Sequence, residues 1–93
     1  MVSFSNMPGA THTRILYEGS GMGSIQYKEY TGSGSLIRGT QNPDAVTATL
    51  SKHLLYESRV GDLYINTTTG GVFTCTAAGT NSTIGTWTAL GTK

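Results

Sequence analysis

Charge is what this 93-residue chain has least of: Asp, Glu, Lys and Arg make up 12% of it, and the formal net charge is +1. That is about half the usual charged fraction. So weak a field gathers neither nucleic acid nor an acidic partner, and neither is expected. A single cysteine, Cys75, excludes an internal disulfide, and two isolated histidines, His12 and His53, do not make a metal site. Apolar runs are short, Ile15-Leu16-Tyr17 being among the longest, which excludes a membrane-spanning helix. The start shows no basic residue followed by an apolar run. No secretory signal is therefore expected, and synthesis in the cytoplasm is.

Hydroxyl groups and glycine take the place of charge. Sixteen threonines, nine serines and thirteen glycines account for 38 of the 93 residues. Threonine favours strands, glycine and serine favour turns, and the low charge argues against a disordered chain of the charged kind. The length fits one domain near the lower end of the usual range. Apolar residues make up 37%, so the core is modest. Small domains commonly add disulfides, a metal or a partner subunit. With the first two excluded, self-association or docking on a larger scaffold is expected.

Residues 1–13 read as an extended N-terminal arm, followed by a single β domain over 14–93. In the arm, Pro8-Gly9 forbids a helix, and the apolar residues follow no sustained period. Such an arm is either a loose terminus or one ordered by contact, with Val2, Phe4 and Met7 as candidate contacts to a partner. Residues 14–18 (RILYE) are a strand closed by the glycine cluster at 19–23. Residues 24–30 then alternate, Ile25, Tyr27 and Glu29 on one face and Gln26, Lys28 and Tyr30 on the other, giving a second strand with a polar outer face. Leu36-Ile37-Arg38 is a short third strand ended by Gly39. Asn42-Pro43-Asp44 is a stop, since proline pushes Asn42 out of the helical region. In 45–57, Val46, Leu50, His53 and Leu54 fall at helical spacing. Ala45 to Leu50 also alternate, and threonine is a poor helix former, so a strand pair is preferred to a helix.

The clearest pattern lies in residues 61–90. Leu63-Tyr64-Ile65-Asn66 and Val72-Phe73-Thr74-Cys75-Thr76 flank the turn-forming Thr67-Thr68-Thr69-Gly70-Gly71, and Thr86-Trp87-Thr88-Ala89-Leu90 follows a loop of small residues. β-branched and aromatic residues at period two between glycine clusters mark a three-stranded meander. Leu63, Ile65, Phe73 and Trp87 are the expected core, with Asp62 and Gly70-Gly71 as turn-makers. The fold class is therefore all-β: a small antiparallel β-sandwich or barrel-like domain with a C-terminal meander and an N-terminal arm.

Motifs for chemistry fail on inspection. Gly19-Ser20-Gly21-Met22-Gly23 lacks the sixth-position glycine of a dinucleotide fingerprint, which is Ser24, and is followed by strand alternation. Gly32-Ser33-Gly34-Ser35 misses the nucleophile elbow at Leu36. Asp62, after glycine, suits a turn hydrogen-bonder, and Cys75 beside Phe73 suits a small buried hydrophobe. The sequons at Asn66 and Asn81 are idle without a secretory route. No catalytic residue, metal ligand or cofactor is expected. Tyr64, Phe73 and Trp87 could stack a sugar, but Phe73 and Trp87 suit a core better. Tyr27, Tyr30 and Tyr64 are the candidate exposed aromatic contacts.

The run Gly61-Asp62-Leu63-Tyr64-Ile65-Asn66-Thr67, Thr69-Gly70, Val72-Phe73-Thr74-Cys75-Thr76 and Gly85-Thr86-Trp87-Thr88 resembles a short module of tailed-bacteriophage virion proteins. In that module GD-x-Y-x-[DN]-T-x-T-G-x-[VY]-[YF]-x-C is followed by TW, in head-decoration, head-fibre and tail-fibre proteins. The match covers about thirty residues, and the front sixty match no family. The resemblance implies a non-enzymatic structural protein, a homotrimer displayed on the outer head surface of a virion. In the leading reading it is a capsid decoration (cement) protein that docks on a major capsid protein through its arm and touches no membrane. The alternative is a glycan-binding tip or adaptor of a tail or head fibre, using Tyr64 and Trp87.

Overall fold

The computed structural model describes residues 14–22, 24–32 and 34–90. They form six strands, β1 (Arg14–Met22), β2 (Ile25–Thr31), β3 (Gly34–Gly39), β4 (Leu63–Asn66), β5 (Val72–Ala77) and β6 (Thr86–Ala89), with one helix, α1 (Thr49–Leu55), between β3 and β4. All six strands lie in one sheet, ordered as in the sequence. Neighbours pair antiparallel except β3 and β4, which run parallel. The all-β expectation and the C-terminal meander both hold.

A parallel pair cannot be closed by a hairpin; it needs a crossover of a dozen or more residues. Residues 40–62 supply it, and here the expected strand pair over 45–57 is corrected. A 3₁₀ turn, Pro43–Ala45, leads into α1. The alternation at 45–50 misled because Thr47 precedes the helix and Thr49 is its first residue, where propensity counts little. A helix of seven residues is marginal alone, and its N-cap, Ala48, offers no side-chain bond. Its last carbonyls are taken from outside. Tyr56 N–H donates to Lys52 O at 3.0 Å, the Ser58 hydroxyl donates to Leu55 O, and the Lys28 ammonium donates to Leu54 O at 2.5 Å. A cation at a helix C-terminus also meets the negative end of its dipole.

Strand register assigns the faces. Lys28, Ile37, Tyr64, Phe73 and Ala89 lie opposite one another across the sheet, in the row on the helix side. The core is Ile25, Ile37, Val46, Leu55, Tyr64 and Phe73, with Tyr17, Leu54, Ile84 and Trp87 packed against it. On β4 this reverses the expected parity. Leu63 is 38% exposed, Ile65 half-buried and Tyr64 fully buried. Tyrosine can go inside because its hydroxyl donates to Gln41 O at 2.6 Å. Its ring also meets Phe73 and Trp87 edge-on, at centroid distances of 6.3 and 6.0 Å. On β2 the register slips between Ile25 and Tyr27. The bulge turns Ile25 inward together with Lys28 and Tyr30, whereas unbroken alternation placed them on opposite faces.

Gly39 sits where β3 passes under the Tyr64 hydroxyl. A Cβ there would stand 2.1 Å from the Tyr64 oxygen and 3.2 Å from Ile25 Cδ1. Gly39→Ala is expected to cost about 2–3 kcal/mol in urea unfolding. Tyr64→Phe in the same chain removes the clashing oxygen, so the double-mutant cycle shows a coupling of about 1 kcal/mol; strict additivity would refute the contact.

Burial pushes the Tyr64 phenol up from its ordinary 10.0 to about 12. Between those values the folded chain keeps the proton that the unfolded chain releases, so stability falls as pH rises through the window. The loss amounts to about 2–3 kcal/mol over the two units. Lys28 acts in the opposite direction, burial lowering its ammonium pKa, so the cost of its charge is relieved as pH rises toward 10.5. The difference between wild type and Tyr64→Phe isolates the tyrosine. That difference is expected to shrink between pH 10 and 12, and a constant difference would contradict the assignment.

Candidate functional site

Asp62 and Asn66, at the two ends of β4, are occupied in holding the fold. Asp62 is 5% exposed. Its Oδ1 accepts the Ser35 N–H and its Oδ2 the Arg59 N–H, each at 3.0 Å. One carboxylate therefore ties β3 to the turn before β4. Asn66, 4% exposed, organises the β4–β5 turn: its Oδ1 accepts from Thr68 N at 2.9 Å and Thr69 N at 3.2 Å, and its Nδ2 donates to Asn42 Oδ1 at 2.8 Å. Gly70 follows at φ 79°, which glycine adopts without strain. Asp62 and Gly70 are turn-makers, as expected.

Two surfaces remain for function. The first is a cleft of about 230 Å³ on the helix side of the sheet. Lys28 and Tyr30 reach it from β2, Ser35 from β3, Leu16 from β1, and Tyr56, Glu57 and Arg59 from the turn after α1. Asp62 lies in its wall with both oxygens already bonded. Glu57 holds a positive φ of 59°, alone among the described non-glycine residues. Its N–H donates to Thr80 O at 2.8 Å, which fixes the turn in place. Burial lowers the Lys28 pKa, and the Asp62 and Glu57 charges partly offset this.

The second surface is the sheet face away from the helix. The register places Ile15, Glu29, Leu36, Leu63, Thr74 and Thr88 in one row and Glu18, Tyr27, Arg38, Ile65 and Val72 in the next. Ile15 is 58% exposed and Leu63 38%, with Leu90 beside Val72 at 58%. A shallow hollow of about 270 Å³ opens there between Glu29, Leu36 and Leu63.

The structure distributes the expected contact residues differently. Val2, Phe4 and Met7 lie outside the described residues. Tyr27 is on the open face, its hydroxyl donating to Glu29 Oε1 at 2.7 Å, while Tyr30 lines the cleft on the opposite side. Tyr64 is corrected: it is a core residue and not an exposed contact. Trp87 packs on that core and donates Nε1–H to Ile84 O at 2.9 Å, so these two rings form no sugar platform. Cys75 is buried, and burial raises its thiol pKa, which disfavours the thiolate. Sequence reasoning missed Lys28, Tyr56, Glu57 and Arg59 as a group. The bulge that turns Lys28 inward and the crossover that brings 56–59 to it are tertiary features.

Comparison with protein-family models, curated proteins and solved structures finds no match.

Asp62→Asn places an amide NH₂ against a backbone N–H and leaves that donor without an acceptor. It is expected to lower stability by about 1–3 kcal/mol. Amide exchange would accelerate first at Ser35 or Arg59. A variant as stable as wild type, with both amides still protected, would remove Asp62 from its anchoring role.

Proposed function

We propose that this chain is a non-enzymatic structural protein of a tailed-phage virion, a capsid decoration protein that docks on the head shell as an oligomer and stabilises it. The observation that carries this reading is the one-sided sheet. The helix and the core occupy one face, while the other presents Ile15, Leu36, Leu63, Ile65, Val72 and Leu90 among threonines, Glu18, Glu29 and Arg38, with no layer of the described residues packed over them. Apolar positions spread across a sheet face favour a protein cover. In an oligomer, neighbouring copies provide it. The low charge suits a surface meant to be packed, and the arm residues Val2, Phe4 and Met7 are left to reach the capsid protein. The resemblance of 61–90 to virion modules supplies the biological setting.

Leu63→Lys combined with Ile65→Lys is expected to convert the oligomer to monomer in sedimentation velocity while the far-ultraviolet circular dichroism stays unchanged. A monomeric wild type would remove the open face as an interface. Deleting residues 1–8 is expected to abolish co-sedimentation with capsid shells while the fold is retained. Co-sedimentation of the truncated chain would sink the docking role of the arm, and absence of the protein from purified particles would sink the reading altogether.

A further inference from the structure

The reading of the open face as an interface leaves the cleft on the helix side without a role. Among the described residues, the hydroxyls of Tyr30 and Tyr56, the Arg59 guanidinium and the Glu57 carboxylate have no protein hydrogen-bond partner, and the Lys28 ammonium has one, Leu54 O. The second carboxylate of the wall, Asp62, is already engaged by two backbone N–H groups. What the cleft offers a ligand is therefore two cations, one unengaged carboxylate, the Tyr30, Tyr56 and Ser35 hydroxyls, which donate or accept, and two aromatic rings, that of Tyr56 also meeting His53.

Glu57 adds an independent observation. It sits just past the helix end in the left-handed region, where glycine or asparagine is the usual occupant. The left-handed turn that ends the helix brings the Glu57 carboxylate into the lining of the cleft.

We propose that this cleft binds one carboxylate-bearing sugar residue, a uronic-acid type of unit. Lys28 and Arg59 match the ligand carboxylate. A bare carboxylate would be repelled by Glu57, so the ligand must also carry hydroxyl donors. A molecule that combines a carboxylate, hydroxyls and an apolar C–H face for the Tyr30 and Tyr56 rings is a sugar acid. A volume of about 230 Å³ lies below the range of drug-sized sites, which limits the occupant to a single ring. The site stands independently of virion assembly, since it lies on the opposite side of the sheet from the open face.

The test is a ¹⁵N-detected NMR titration of the full chain with methyl β-D-glucuronide, and in parallel with the neutral methyl β-D-glucoside. The acidic glycoside is expected to give saturable shifts at the amides of Lys28, Tyr30 and residues 56–59, with Kd on the order of 1 mM for so few contacts. The neutral one should bind at least about tenfold more weakly, the loss of one charged contact. Arg59→Gln is expected to weaken the acidic sugar by a similar factor. Glu57→Gly should raise the urea midpoint by relieving the backbone and yet lose the sugar, which separates recognition from folding. No saturable shift by about 50 mM, far above that expected Kd, overturns the proposal. So do equal shifts from both glycosides, or binding that survives in both variants.

Discussion

Two antiparallel meanders, β1–β3 and β4–β6, meet at a single seam where β3 runs parallel to β4. The seam cannot be closed by a turn, so the chain must leave the sheet at Gly39 and return at Leu63. That excursion brings α1 against β2, where Lys28 meets the Leu54 carbonyl, and sends Leu55 into the core with Ile37 and Tyr64, which decides which sheet face is covered. The carboxylate of Asp62 sits at one end of the seam, bonded to Ser35 and Arg59. At the other end Thr67 N–H donates to Gly39 O at 2.8 Å, and the Tyr64 hydroxyl reaches Gln41 O. The polar groups in the middle of this fold serve the closure of one crossover.

Strand positions were largely legible in the sequence, because glycine clusters and alternation are local signals. Face assignments were legible only where alternation met no competing demand. On β5, Phe73 and Cys75 face inward as the pattern says, and Trp87 and Ala89 share that face on β6. On β4 the pattern offered Leu63 and Ile65 as core, since hydropathy ranks them above Tyr64. The inversion depends on a distant carbonyl at Gln41 to receive the hydroxyl, and no local window contains it. The helix was obscured for a related reason. Its apolar spacing was visible, but the need for a crossover arises only from parallel pairing, which β-propensity does not encode.

The candidate surfaces were less legible than the fold. A polar outer face was expected only for the strand at 24–30, and the outer rows of β3, β4 and β5 carry Leu36, Leu63, Ile65 and Val72. The cleft is assembled from β1, β2, β3 and the turn after α1, separated by more than forty residues in sequence. Only tertiary structure gathers them. Tyr27 and Tyr30, three residues apart, illustrate the point: both read as exposed contacts in the sequence, but they lie on opposite sides of the sheet.

How the chain uses its few charges separates structure from recognition. With five acidic residues in all, each carboxylate is informative. Asp62 is consumed by backbone N–H groups, and Glu29 accepts the Tyr27 hydroxyl. Glu57, whose N–H holds the turn to Thr80 O, has a carboxylate that lines the cleft with Lys28 and Arg59 and has no hydrogen-bond partner among the described residues. An unengaged acid beside two cations would be an odd expenditure in a protein otherwise so poor in charge if the cleft met only water. The assembly proposed above would use the opposite face, with its apolar positions at Ile15, Leu63 and Leu90. Because the cleft and the open face lie on opposite sides of one sheet, the two proposed uses do not compete for the same surface.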